Sequence, residues 1–187
     1  CSEPYNSGVT ATLTANPASG FQTGTWTGCT PINNNTQCTA SMTQVRTVTV
    51  TFTQITFLLA VAGGGTGTGT ATSQVGLVPA INCTSTAGVT SGSCQQSYNV
   101  SISVTLTAAA ASGSTFTGWS GACTGTGTCV VSMTQARTVT VTFTQITFLL
   151  TVSPVPTNGN VTATGISCGT GGTGDCSEPY NSGTNVT

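Results

Sequence analysis

Apolar and polar residues alternate most regularly at residues 46–52, where the sequence reads RTVTVTF. The two valines and Phe52 fall on one side of this pattern, and the threonines fall on the other. A period of two with β-branched residues predicts a β-strand with one buried face. The pattern runs on without a turn into TQITFLL, where the apolar residues begin at Ile55 and occupy odd instead of even positions.

A change of parity by one residue moves the apolar side chains to the opposite face of a strand. We therefore expect the chain to leave one core and enter the next at Thr53–Gln54, and to do so again at Thr144–Gln145, where the same sequence recurs. Successive units would then be joined by almost no linker, which favours a stiff rod.

Similar patterns predict several further strands, and no segment shows a helical stripe of useful length. Between them, GGGTG at 63–67 and ASG at 111–113 are typical of turns, since glycine accepts positive φ at little cost. The fold class is therefore all-β, with a small β-sandwich or open barrel in each unit of about 90 residues. We expect strands near residues 55–61, 66–75, 95–100, 102–109, 115–119, 128–133 and 137–144.

The chain is a tandem repeat. Residues 41–59 recur at 132–150 with one substitution, and residues 9–29 match 103–123. Downstream, residues 61–83 correspond to the shorter stretch 152–168, and the octet CSEPYNSG stands at both 1–8 and 176–183. We infer the C-terminal half of one repeat at 1–52, a complete repeat at 53–143, and the N-terminal half of another at 144–187. The two octets are expected to occupy equivalent environments.

Nine cysteines follow the phase of the repeat. Without histidine or a C-x-x-C motif, disulfides in an oxidising compartment are favoured over a zinc site. Short separation and repeat phasing predict an early and a late pair in each repeat. Cys1 is left over and aligns with Cys176, so we expect it to pair with a cysteine of the preceding unit. The predicted disulfides are Cys29–Cys38, Cys83–Cys94, Cys123–Cys129 and Cys168–Cys176.

Charge is almost absent, since the chain has two arginines, three acidic residues and no histidine. General acid–base catalysis draws mainly on side chains that this chain lacks, so we expect no enzyme and no catalytic or cofactor-binding residue. Two arginines cannot displace the counterions of a nucleic acid. Three scattered acidic residues give little support to a calcium site. There is no apolar run long enough to cross a membrane, and a secretion signal is expected outside these residues.

Two tryptophans allow two interpretations. Trp26 and Trp119 could form a platform for carbohydrate, or each could fill the small core beside its late disulfide, and we favour the core. Tyr5, Tyr98 and Tyr180 each follow a cysteine by four residues, which favours structural anchoring.

Residues 104–143 resemble the divergent internalin-type B-repeat, a module found in tandem in bacterial surface and secreted proteins. The resemblance rests on the VTLTA strand, the block STFTGWSG, a cysteine pair, Met133 and the closing TVTVTF. It implies roles as spacer, adhesion or surface-display modules and implies no catalytic residues.

We therefore expect a secreted structural protein that forms an extracellular fibre, stalk or surface filament. Its partners would be adjacent copies of the same repeat, in the same chain or in a neighbouring subunit. The alternative is an adhesin module that binds glycans or a host surface, which exposed, coplanar aromatic residues would support.

Overall fold

The computed structural model describes residues 2–187, which contain eighteen β-strands and no helix. Three units follow one another: a head unit of residues 2–54, a central unit of residues 56–145 and a tail unit of residues 147–187. The strands of the head unit are β1 (Thr10–Thr14), β2 (Phe21–Thr27), β3 (Thr30–Ile32), β4 (Gln37–Ser41) and β5 (Thr49–Gln54). Those of the tail unit are β15 (Thr147–Thr151), β16 (Asn160–Ala163), β17 (Ile166–Gly169) and β18 (Ser177–Asn181).

The central unit is a sandwich of two open sheets. Its strands are β6 (Thr56–Gly64), β7 (Thr68–Ser73), β8 (Asn82–Thr86), β9 (Val89–Ser93), β10 (Gln95–Asn99), β11 (Ser103–Ala110), β12 (Ser114–Gly121), β13 (Cys129–Ser132) and β14 (Arg137–Gln145). One sheet has the order β10-β6-β14-β12 and the other has the order β13-β11-β7-β8-β9. The expected all-β architecture is confirmed.

The first and last strands of the central unit lie side by side. β6 and β14 pair in parallel, from Arg137 opposite Leu59 to Thr142 opposite Gly64, whereas every other strand pair of the described chain is antiparallel. The chain consequently runs in the same direction through its first and last strands, so it leaves the sandwich at the end opposite the one where it entered.

Alternation along β14 fills the core. Val139, Val141 and Phe143 are fully buried between the sheets, and the threonines between them lie on the other face. The ring of Phe116 lies against that of Phe143, with centroids 5.7 Å apart. Each buried aromatic or branched side chain contributes roughly 1.5–3 kcal/mol by leaving water.

One hairpin of the central unit was not among the predicted strands. β8 and β9 form it through a two-residue turn in which Ala87 and Gly88 both have positive φ, 48° and 81°. Thr, Ser and Gly dominate these strands, so no apolar alternation marks them. β9 is an edge strand whose side chains are mostly exposed, so its pairing depends on backbone hydrogen bonds.

The head unit repeats the second half of the central unit. Leu13 lies opposite Cys38 in the pair β1–β4, as Leu106 lies opposite Cys129 in β11–β13. The pairs β2–β5 and β12–β14 share an irregularity of register just before the tryptophan. The same half-sandwich is therefore built twice.

The tail unit repeats the first half of the central unit. Phe148 lies opposite Tyr180 in the antiparallel pair β15–β18, as Phe57 lies opposite Tyr98 in β6–β10. The strands of the head unit form sheets only with each other, and those of the tail unit do the same, within residues 2–187. The two half-sandwiches therefore do not close into one domain.

The expectation for the octet was wrong over the residues that the structure describes. Ser177–Asn181 form strand β18 against β15, whereas residues 2–8 are irregular and exposed despite their identical sequence. The head unit has no counterpart of β15 within the described residues, so this segment has no strand to pair with. Strand pairing, and not local sequence, decides its conformation.

The turn at Gly65 gives a test of the sandwich. Its φ is +79°, and a Cβ there would lie 2.1 Å from the carbonyl oxygen of Phe143. Gly76 has a similar φ of +85° but open space around its Cα. We expect Gly76→Ala to lower the free energy of unfolding by about 1 kcal/mol from backbone strain alone, and Gly65→Ala by about 3 kcal/mol or more. Denaturant titrations of both variants measure the difference, and equal losses would contradict the close packing of this turn on β14.

Candidate assembly site

Four disulfides tie the two sheets together where the chain crosses between them. In the central unit, Cys83–Cys94 spans the crossing from β9 to β10 and Cys123–Cys129 spans the crossing from β12 to β13. These crossings lie at opposite side edges of the sandwich. Cys29–Cys38 in the head unit and Cys168–Cys176 in the tail unit occupy equivalent positions. Each bond closes a short loop and contributes roughly 2–3 kcal/mol in the chain-entropy description.

The predicted bond of Cys1 to a preceding unit falls on a residue outside the described part of the chain. It stays a prediction.

Both tryptophans anchor the loop of the late disulfide. Trp26 is 8% exposed and Trp119 is 4% exposed. The Trp26 indole N–H donates to the carbonyl of Asn35 at 2.9 Å, and the Trp119 indole N–H donates to the carbonyl of Gly127 at 2.8 Å. Each acceptor lies between the two cysteines of the late disulfide. The structure thus places both indoles in cores, where neither presents a face to a sugar.

The three tyrosines differ in their surroundings. Tyr98 is buried in the central core, and burial raises the pKa of its hydroxyl while the nearby Ser73 hydroxyl acts to lower it. The Tyr180 hydroxyl donates to the carbonyl of Thr164. Tyr5 is exposed. Tyr98 lies on the strand that pairs with β6, and Tyr180 lies on the strand that pairs with β15, the counterpart of β6. These two tyrosines are therefore the ones with structural contacts.

The junction between units is a continuous strand that hydrogen-bonds to both sides. Between β5 and β6, the N–H of Ile55 donates to the carbonyl of Gly20 in the head unit at 2.8 Å. The carbonyl of Ile55 accepts from the N–H of Val100 in the central unit at 2.9 Å. The parity change that the sequence predicts at Thr53–Gln54 lies at this residue.

The second junction has the same geometry. The N–H of Ile146, between β14 and β15, donates to the carbonyl of Gly113 at 2.8 Å. Its carbonyl accepts from the N–H of Ser182 in the tail unit, also at 2.8 Å. Two junctions about one repeat apart therefore use equivalent residues and equivalent hydrogen bonds.

The half-sandwiches at the two ends expose core positions. Phe52 of β5 is 45% exposed, whereas its counterpart Phe143 is fully buried in the central unit. Leu150 of β15 is 43% exposed, whereas its counterpart Leu59 is fully buried. Apolar side chains that would line a core are thus open to solvent at both ends.

Both arginines make local hydrogen bonds. Arg46 and Arg137 each donate to the turn before the last strand of their unit, to the carbonyl of Ser41 and to the hydroxyl of Thr134. Within residues 2–187 no group of three or more His, Cys, Asp or Glu side chains is placed to hold a metal ion. That part of the chain also contains no helix long and apolar enough to cross a membrane.

These features define a tandem β-sandwich repeat that is joined through its strands and held by disulfides. The chain matches the divergent InlB B-repeat domain over residues 1–56 and again over residues 58–147. Since these matches cover well over half of its 187 residues, the chain belongs to this family of bacterial surface repeats, which is not known for catalysis. The resemblance inferred from residues 104–143 is confirmed. No curated protein and no solved structure matches the chain.

Trp119 tests the core interpretation against the carbohydrate platform. Trp119→Phe removes the hydrogen bond to Gly127 and part of a buried side chain, so we expect the free energy of unfolding to fall by about 1–3 kcal/mol. Soluble glycans should leave the tryptophan fluorescence of the wild-type chain unchanged, because both indoles are buried. A saturable change in that fluorescence on adding glycans would restore the adhesin alternative.

The raised pKa of Tyr98 predicts a loss of stability in alkali. Its stabilising contribution is fully present below the unfolded pKa of about 10 and is lost as the pH rises through the higher folded value. We expect the free energy of unfolding to fall above about pH 10 and to fall less steeply in Tyr98→Phe. Denaturant titrations with free thiols alkylated measure this. Identical slopes for the two chains would contradict it.

Proposed function

We propose that this chain is a structural segment of a secreted bacterial fibre, stalk or surface filament, in which repeats stack end to end through continuous strands. The observation that carries the proposal is the pair of equivalent junctions at Ile55 and Ile146. One operation that carries the first junction onto the second would, when repeated, generate a rod. In such an array each repeat contacts mainly its neighbours.

The register of the parallel strands gives the length of one step. Arg137 lies opposite Leu59, so Ile146 lies about 13 residue positions beyond Ile55 along the strand direction. At about 3.3 Å per residue, each repeat would advance the rod by about 40 Å. This chain is about two repeats long, so it would measure about 80 Å from end to end.

The scarcity of charge supports a role in assembly. Sheets with open edges are normally guarded by lysine, proline or inward-facing charges. This chain has no lysine and only five charged residues, and the edge strands of the central unit, β9, β10, β12 and β13, carry no charged side chain. Lateral cohesion between rods would make use of such edges. An extracellular location would keep the four disulfides oxidised.

Solution scattering tests the rod. A compact chain of 187 residues would have a radius of gyration of about 16 Å. We expect a clearly larger value and a longest dimension of about 80 Å. A compact particle would overturn the proposal.

A junction variant sharpens the test. Ile55→Pro removes the N–H that donates to Gly20 but keeps the carbonyl that accepts from Val100, so only the bond to the head unit is lost. We expect scattering from this variant to show a flexible joint, with faster proteolysis near residue 55. Ile55→Val keeps both bonds and is the matched control. If both variants behave like the wild type, the junction does not stiffen the chain.

A further inference from the structure

The head unit has an open groove of about 1060 Å³ on its unfilled side. Its apolar lining includes Ala11, Leu13, Ala40, Met42 and Val48. The counterparts of these residues in the central unit lie in the buried core, where the first half of the same sandwich covers them. The groove is therefore shaped for the first half of a repeat.

The tail unit carries a first half that is itself uncovered. Phe148 and Leu150 of β15 and Val161 of β16 are all at least 43% exposed. The counterpart of Leu150 in the central unit, Leu59, is fully buried in the core that both halves of the sandwich form. The central unit thus shows, within one chain, how a first and a second half fit together.

Side-chain sizes in the two end units depart in opposite directions from those of the central unit. Ala11 lies opposite Ala40 in β1–β4, where the central unit pairs Val104 with Val131. In the tail unit Val161 lies opposite Cys168, where the central unit has Ala71 opposite Cys83. The head unit thus has smaller side chains where the central unit has two valines. The tail unit has a larger side chain where the central unit has an alanine. Two valine-to-alanine changes remove four carbons and one alanine-to-valine change adds two, so the tail unit offsets about half of the side-chain volume that the head unit lacks.

We propose that the groove of the head unit binds the tail unit of a second copy of this chain, which completes a second sandwich between the two molecules. The proposal rests on the proposed function and adds the site, the partner and the register of its assembly. A contact between two different surfaces of the same chain is head-to-tail and does not close on itself, so it yields open-ended polymers.

The central unit supplies the register of the contact. The parallel pair β6–β14 predicts that β15 lies parallel to the segment that leads into β5, with Leu150 beside Arg46 and Val152 beside Val48. The antiparallel pair β7–β11 predicts that Val161 lies opposite Ala15. Pro154 has no N–H, so it limits the backbone hydrogen bonds between the β15 segment and the segment that leads into β5. Apolar burial therefore contributes most of the free energy of binding.

The disulfides among residues 2–187 keep their partners when the two units join. Cys168–Cys176 lies wholly within the tail unit and holds β17 to the segment that enters β18. In the joined sandwich β18 keeps its place beside β15, which is the place that the identical residues 2–8 would otherwise take. Those residues line the groove but belong to no strand, so they can move aside.

Sedimentation velocity of the intact chain over a range of concentrations tests the contact. We expect reversible species at multiples of the 18.5 kDa monomer mass. Leu150→Asp places a charge in the completed core and should raise the dissociation constant at least 100-fold. Leu149→Asp is the matched control, because the counterpart of Leu149, Leu58, stays 43% exposed in the complete central unit.

A mixing experiment tests the direction of the contact. Phe52→Asp blocks the head unit, and Leu150→Asp blocks the tail unit. Neither variant should polymerise alone, whereas an equimolar mixture should give a dimer and nothing larger, because one functional head and one functional tail remain. Circular dichroism of each variant is the control that checks whether it is folded. Amide exchange of residues 46–48 and 150–152 in the wild-type chain should slow at high concentration, which needs no variant.

Three results would overturn the proposal. They are a wild-type chain that stays monomeric up to millimolar concentration, an equal effect of Leu149→Asp and Leu150→Asp, and mixtures that grow beyond the dimer. The first would show that another partner or nothing occupies the groove, and the second would indicate unspecific apolar association. None of them would affect the scattering of the monomer, so failure of this contact and failure of the rod remain distinguishable.

Discussion

The parallel pairing of β6 with β14 is the constraint on which the rest of the structure depends. It places the first and last strands of the sandwich side by side and in the same direction, so that the entrance and the exit lie at opposite ends. A strand that leaves one sandwich can therefore continue as the first strand of the next, and a single residue with two backbone hydrogen bonds is enough to join them. An antiparallel pair at this position would turn the chain back and end the array.

A sandwich of about 90 residues has a thin core, and its stability has to come from more than apolar burial. The disulfides are placed where this matters most, at the two crossings between sheets. Each late disulfide also closes the loop whose carbonyl accepts the indole hydrogen bond, so the tryptophan, the loop and the disulfide hold one another. Few other polar side chains are buried, and the sandwich needs almost no charge.

Sequence alone predicts the features that rest on local pattern. The alternation in RTVTVTF predicts β5 and β14, and the parity change predicts the place where one core gives way to the next to within two residues. The hairpin β8–β9 escapes prediction because its Ser, Thr and Gly side chains carry no apolar period. The two octets show the other limit, since identical residues form a strand at 177–181 and none at 2–8. There the deciding factor is the neighbouring strand, which a local pattern does not contain. The unfilled faces of the end units likewise depend on which partner strands are present.

The side-by-side position of the first and last strands also determines how a rod of these units would respond to mechanical tension. A pull along the rod enters a sandwich at the start of β6 and leaves it at the end of β14, so the two strands are drawn past each other along their length. All the hydrogen bonds between them then carry the load together, and none can open before the others. This shear geometry resists force far better than one in which strands peel apart bond by bond. Since the disulfides lie at the side edges, outside this path, they would limit how far a sandwich extends after it yields.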